Sequence, residues 1–164
     1  MIILARALVW ATLFVGFGLV FLPARILGMT GIIPPVRLGL FQFGGIVVVS
    51  AGGVLVVSSI VAFAFVGKGT AAPFDPPRRL VTAGPFRYVR NPIYIGALFS
   101  LLGAATFYQS AGLVAYGVVL ALGFHILVLI YEEPTLRRQF GTEYAAYCDR
   151  VARWLPKIRA NDAG

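Results

Sequence analysis

The sequence predicts an all-α integral membrane protein: a bundle of four (or five) transmembrane helices with a cytoplasmic cofactor-binding lid and C-terminal interfacial helices. Three observations point there. Of the 164 residues, 59% are hydrophobic and 12% are charged, against roughly 45–50% and about 25% in soluble domains. Charge is absent from three stretches, 7–24, 38–67 and 91–131, of 18, 30 and 41 residues. The net charge of +8 is carried by 14 basic and 6 acidic residues, and these cluster between and after the apolar stretches. A chain of this length allows one domain, and so basic a balance in so apolar a chain points to a bilayer rather than to nucleic acid.

The first two charge-free stretches each supply one span, near 3–22 and 39–66, since about 20 apolar residues cross roughly 30 Å of hydrocarbon. The third, as one helix, would reach about 60 Å, so it folds back as a hairpin with spans near 92–108 and 111–131. Thr106, Tyr108, Gln109, Ser110 and Gly112 form its turn. The organisation is thus a single membrane domain: two N-terminal spans in 1–66, a cytoplasmic loop over 67–91, the hairpin over 92–131 and interfacial helices over 132–164. Four spans place Arg6, Lys68, Arg78, Arg79, Arg87, Arg90, Arg137, Arg138, Arg150, Arg153, Lys157 and Arg159 on one face, and only Arg25 and Arg37 on the other. The positive-inside rule makes the crowded face, and with it both termini, cytoplasmic. The first span reads as retained, because Phe21-Leu22-Pro23-Ala24 lacks a small-x-small cleavage pattern. Cys148, the lone cysteine, lies on the reducing side. Gly96, Ser100 and Ala104 on the third span, and Gly45, Gly52 and Gly53 on the second, mark close helix approach.

The segment 67–92 holds five of the ten prolines and interleaves its arginines with Leu80, Val81, Phe86, Tyr88 and Val89, a composition that favours an ordered lid over a disordered linker. It ends in Arg90-Asn91-Pro92. Asn is a preferred N-cap and Pro a preferred first residue, so the third span starts here. The helix N-terminus, with Arg87 and Arg90 beside it, either binds a carboxylate or phosphate or is an ordinary cap whose arginines meet lipid headgroups. Glu132 and Glu133 leave the membrane on the same face, at a helix end where the dipole disfavours them. Their partner is either the loop's arginines or a ligand with hydroxyl or ammonium donors. Beyond Pro134, Phe140-Gly141 breaks one short helix and Thr142 caps the next. Tyr144, Tyr147, Val151 and Trp154 then line one apolar stripe flanked by Arg150, Arg153 and Lys157, the pattern of a helix lying on a membrane. His125, the only histidine, lies inside the fourth span, one face with Glu132 and about 10 Å deeper. It is either a neutral hydrogen-bonding group across the bundle or a functional one.

Gly67-Lys68-Gly69 is not a P-loop, no dinucleotide-binding glycine motif is present, and one His with one Cys cannot build a zinc site. The run LVTAGPFRYVRNPIYIG, followed about 35 residues later by EEPTLRRQFGTEYAAYCDRVARWLP, resembles the C-terminal half of the isoprenylcysteine carboxyl methyltransferase and phospholipid methyltransferase superfamily. The resemblance covers 79–157. It implies an integral membrane enzyme using S-adenosyl-L-methionine, with Arg79, Leu80, Val81, Phe86, Asn91, Pro92, Ile93, Tyr94 and Glu132 at the cofactor and Arg90 supporting its carboxylate. Asn91 stands where eukaryotic members have His, and Val128 where they have a substrate-binding arginine, which weakens the case for a prenylcysteine carboxylate as acceptor but not for the cofactor. The sulfonium methyl is already activated, so alignment is the main task. A carboxylate acceptor needs no base, whereas an ammonium or thiol must lose a proton. His125 is the intramembrane candidate for that catalytic role and Glu133 the one at the rim. The acceptor is expected to be a lipophilic or prenylated molecule entering from the bilayer, with membrane lipids as neighbours and no nucleic acid. Two alternatives are an NADPH-dependent membrane reductase of similar bundle and a non-catalytic membrane scaffold.

Overall fold

Long apolar runs in which few side chains compete for the backbone satisfy their amides internally, and helices are the local way to do so. The computed structural model describes residues 16–32, 35, 37–67 and 79–157. Helix α1 is Gly16–Met29 and α2 is Leu40–Gly67. A single 3-10 turn, Gly84–Arg87, precedes α3, Pro92–Tyr108. Helix α4, Ala111–Leu127, continues through a π-helical turn, Val128–Glu132, into α5, Glu133–Arg150. Among the described residues the only β pairing is an isolated parallel bridge between Val89 and Ala152.

Two helical stretches, Leu40–Gly67 and the continuous Ala111–Arg150, are long and apolar enough to cross a membrane, while Gly16–Met29 and Pro92–Tyr108 are apolar but shorter. Their outer faces carry Phe41, Phe43, Val54, Val57, Val119, Leu122 and Ile130, all exposed. An aqueous protein does not present such a surface, whereas hydrocarbon accepts it without cost.

Three boundaries differ from those the sequence suggested. The first span was expected to end at 22, but α1 runs through Pro23 and Arg25 to Met29. The fourth was expected to end at 131, but the helix continues, so Glu132 and Glu133 do not sit at a C-terminal helix end. Both cases share a device: a π-helical turn, Gly16–Phe21 or Val128–Glu132, precedes a proline in the first turn of the next α-helical segment. The wider turn accommodates a residue that has no N–H to give and would otherwise end the helix. The third difference is the tail. Gly141 does break α5, with φ 50 and ψ −121, but Tyr144, Tyr147 and Val151 are buried against Leu80, Leu136, Phe140 and Cys148. Three residues of the stripe assigned to the membrane surface are thus turned inward, against Leu80 of the loop and other side chains of α5 itself.

Helix α3 packs on α2 through a seam of glycines, Gly45, Gly52, Gly96 and Gly103, at which no Cβ fits. A methyl at Gly45 would lie 2.7 Å from the Gly103 carbonyl, and one at Gly52 would lie 2.6 Å from that of Gly96. Ser100 belongs to the seam, but Ala104 does not. It joins Ile26, Leu27, Tyr108, Tyr116 and Leu120 around Leu101, Ala105 and Leu113, where α1 and α4 meet α3. A Cβ at Gly53 of α2 would meet nothing within 4 Å among the described residues. The α3–α4 turn places Gln109 at φ 51, and Ser110 caps α4 by accepting the Leu113 amide at 3.3 Å.

Of the loop 67–91, residues 68–78 lie outside the described residues, as do the start of the first span with Arg6 and the end of the tail with Arg159. Residues 79–91 are irregular and pinned: Val81, Phe86 and Val89 are buried, and the Tyr147 hydroxyl donates to the Phe86 carbonyl at 2.7 Å. Tyr147→Phe leaves that buried carbonyl unpaired. It is expected to cost about 1–2 kcal/mol and to speed proteolysis within 79–91. An unchanged melting temperature and cleavage rate would show that this bond does not hold the segment.

Candidate functional site

Pro92 opens α3 because it has no amide to satisfy there, and Asn91 precedes it at the capping position. The expected cap bond is not made. The Asn91 side chain instead donates through Nδ2 to the Arg153 carbonyl at 3.2 Å. Among the described residues the first-turn amides of α3 therefore receive no side-chain acceptor, and the positive end of the helix is left for something else.

Adjacent residues on a helix point about 100° apart, and the two acids diverge accordingly. Glu132 accepts a short hydrogen bond from the Tyr94 hydroxyl, which ties α4 to the first turn of α3. The Tyr94 ring stacks on Phe124, with centroids 4.4 Å apart. Glu133 turns the other way into a cluster of arginines. Arg153 grips both of its oxygens, Nε at 2.6 Å and Nη2 at 3.0 Å, and Arg90 Nη1 lies 3.2 Å from Oε1. This hydrogen bond holds the Arg153 guanidinium above its already high usual pKa. Arg90 Nη1 also reaches Cys148 Sγ at 2.7 Å and Tyr144 Oη at 3.4 Å. The Arg90 Nε is buried and has no partner among the described residues.

Between these groups lies a cavity of about 120 Å³, open on one side. Of the residues singled out from sequence, Leu80, Val81, Phe86, Arg90, Asn91, Pro92, Ile93, Tyr94, Glu132 and Glu133 line it. Two do not. Arg79 is exposed, its amide 3.4 Å from the Gly67 carbonyl. His125 lies off the wall, and its Nδ1 accepts the Trp154 indole N–H at 3.1 Å. The wall also includes Phe63, Val128, Tyr131, Thr135, Leu136, Tyr144 and Tyr147, which the sequence reading did not assign to a site. The spacing of Tyr144 and Tyr147 was visible but fitted a membrane-facing stripe equally well. Phe63 lies near the end of an apolar run in which nothing distinguishes it from Phe65.

Apolar helices, two of them of membrane-spanning length, that converge on a polar cavity at a helix N-terminus define a membrane-type helical protein with a polar cavity where its apolar helices end. The chain belongs to the phospholipid methyltransferase family, whose model matches residues 40–143. That match takes in all of α2, which the motifs alone did not cover. Among curated proteins the chain is similar to the cobalt-zinc-cadmium resistance protein CzcN of Cupriavidus metallidurans, at 32% identity over 60% of this chain and 46% of that one. It is similar to phosphatidylethanolamine N-methyltransferase of Homo sapiens at 35% identity over 55% and 45%. It is also similar to a probable protein-S-isoprenylcysteine O-methyltransferase of Oryza sativa subsp. indica, at 34% over 52% and 44%. The chain spans less than half the length of each of these relatives. No solved structure matches it.

Proposed function

We propose that the protein is an S-adenosyl-L-methionine-dependent methyltransferase acting in the membrane on a lipophilic acceptor of phospholipid or isoprenylcysteine type. The observation that carries this reading is the pairing of opposite polar capacities in one cavity. Donors without a partner among the described residues, the Ile93 and Tyr94 amides that open α3 and Arg90 Nε, suit a carboxylate. Glu132, whose partner is a neutral hydroxyl, suits an ammonium or ribose hydroxyls. Phe63, Phe86, Leu80 and Val81 offer an apolar wall for a heterocycle. Methionine, ribose and adenine require those three kinds of surface.

When bound, the cofactor supplies a methyl group already activated for displacement, which leaves binding and alignment to the protein. Tyr94, fixed by Phe124 and Glu132, holds the wall beside the α3 N-terminus. Glu133 has both oxygens engaged by Arg153, and His125 is paired with Trp154 outside the cavity. This placement favours an acceptor whose nucleophile is already unprotonated over one that needs either group as a base. On this reading the chain crosses the bilayer four times with both termini cytoplasmic, 67–91 is the lid on the cytoplasmic side, and the acceptor enters from the bilayer.

Titration of detergent-purified protein with S-adenosylhomocysteine tests the assignment. The wild type is expected to bind and Glu132→Ala to bind about tenfold to a hundredfold more weakly, the value of a charged hydrogen bond. No binding, or equal binding to both, would overturn it. A thermal shift with NADPH and none with S-adenosylhomocysteine would favour a reductase instead.

A further inference from the structure

The segment that follows α5 is short, yet it bonds Arg90, Asn91, Glu133 and His125. The Ala152 carbonyl accepts the Arg90 amide at 2.9 Å, the Arg153 carbonyl accepts from Asn91, the Arg153 guanidinium grips Glu133, and Trp154 reaches His125. Residues 152–154 therefore tie the end of the loop, the start of α3 and the α4–α5 helix together.

The geometry within this tie has a chemical consequence for Arg90. A guanidinium facing a lone carboxylate prefers a two-point, fork-to-fork contact that uses up its donors. Here Arg153 occupies that contact on Glu133, with bonds to both oxygens. Arg90 is left with a single flank, Nη1 to Oε1 at 3.2 Å, and its Nε, in a residue that lines the cavity, is buried and unpaired among the described residues. We propose that Arg153 is a positioning residue: by taking both oxygens of Glu133 it keeps Arg90 from closing on that carboxylate, and so reserves an Arg90 donor for the anionic group of the bound ligand. The proposal rests on the cofactor reading above and adds a residue that does not itself line the cavity.

The experiment measures S-adenosylhomocysteine affinity by calorimetry in wild type, Arg153→Gln, Arg153→Lys, Arg90→Lys and the Arg90→Lys/Arg153→Lys double variant. The exposed Arg138, which bonds the Pro134 carbonyl, serves as Arg138→Gln control. Arg153→Gln is expected to lose about tenfold or more in affinity, in line with the cost of a small misplacement at a site. Arg153→Lys, with one point charge in place of a fork, is expected to fall between it and wild type. In steady-state assays the loss should appear in the KM for cofactor and leave the KM for acceptor unchanged. The two lysine changes should be non-additive, because the second has nothing left to misplace. If Arg153→Gln does not fold, Arg153→Lys and the double variant decide. Wild-type affinity in a folded Arg153→Lys, or additive losses, would overturn the positioning role while leaving the cofactor reading intact. Absence of binding to wild type would overturn both.

Discussion

Glu133→Gln should weaken the fold by about 3 kcal/mol, whereas Glu132→Gln, one residue away, should leave stability nearly unchanged and weaken ligand binding. The first change leaves the half-buried Arg90 and Arg153 guanidiniums without their shared counter-charge. Breaking one partner out of a buried ion pair costs about 3–5 kcal/mol. The lower end applies because the Arg153 side chain keeps 30% of its surface exposed, against 11% for Arg90. The loss should fall on the loop 79–91 and the segment 151–157 first, since those are what the cluster joins. Among the described residues Glu132 bonds only to a neutral phenol, so its amide analogue keeps an oxygen for Tyr94 to donate to. Thermal unfolding in detergent, read with limited proteolysis, separates the two. Equal stability loss in both variants would mean that the ion cluster does not have the structural role its geometry implies.

Gly103→Ala and Gly52→Ala are expected to be still more damaging, about 3 kcal/mol or more each through overpacking. A Cβ at Gly103 would stand 2.5 Å from the Val49 amide nitrogen, and one at Gly52 would stand 2.6 Å from the Gly96 carbonyl. Both neighbours are backbone and cannot rotate away, so α2 and α3 must separate along the whole seam. Gly53→Ala is the matched control: it is in the same helix, with nothing within 4 Å of the added methyl. It is expected to be neutral or stabilising, since Ala favours a helix over Gly by up to about 1 kcal/mol. Melting temperatures of the three variants check this, and a Gly103→Ala protein as stable as Gly53→Ala would rule the close seam out.

The contrast between Gly52 and Gly53 also shows where sequence reading stops. Both were visible as interruptions of an apolar run, but which one meets a partner depends on the rotational setting of α2 against α3. A run that is apolar all round carries no record of that setting. The same limit explains the tail. Tyr144 and Tyr147 repeat at a helical spacing, and spacing alone cannot tell lipid from loop as the surface they cover. Segment ends are the other weak point, because Pro23 and Pro134 read as helix breaks until the π-helical turns before them are seen.

What the sequence determined by itself was whatever depends on composition and local order: helices where charge is missing, the hairpin within 91–131, the start of α3 at Pro92, and the motif residues of the methyltransferase superfamily. These follow from forces acting within a few residues or along one span. Only the tertiary structure decided the division of labour among the polar groups. Asn91 is turned from a cap into a donor to Arg153, the two adjacent glutamates serve different partners, and the fork contact of Arg153 spares a donor on Arg90. Charged and hydrogen-bonding groups settle on whichever partner lies within about 3 Å in a desolvated site. That distance is set by residues 20 or 62 positions away in the chain, which no local pattern records.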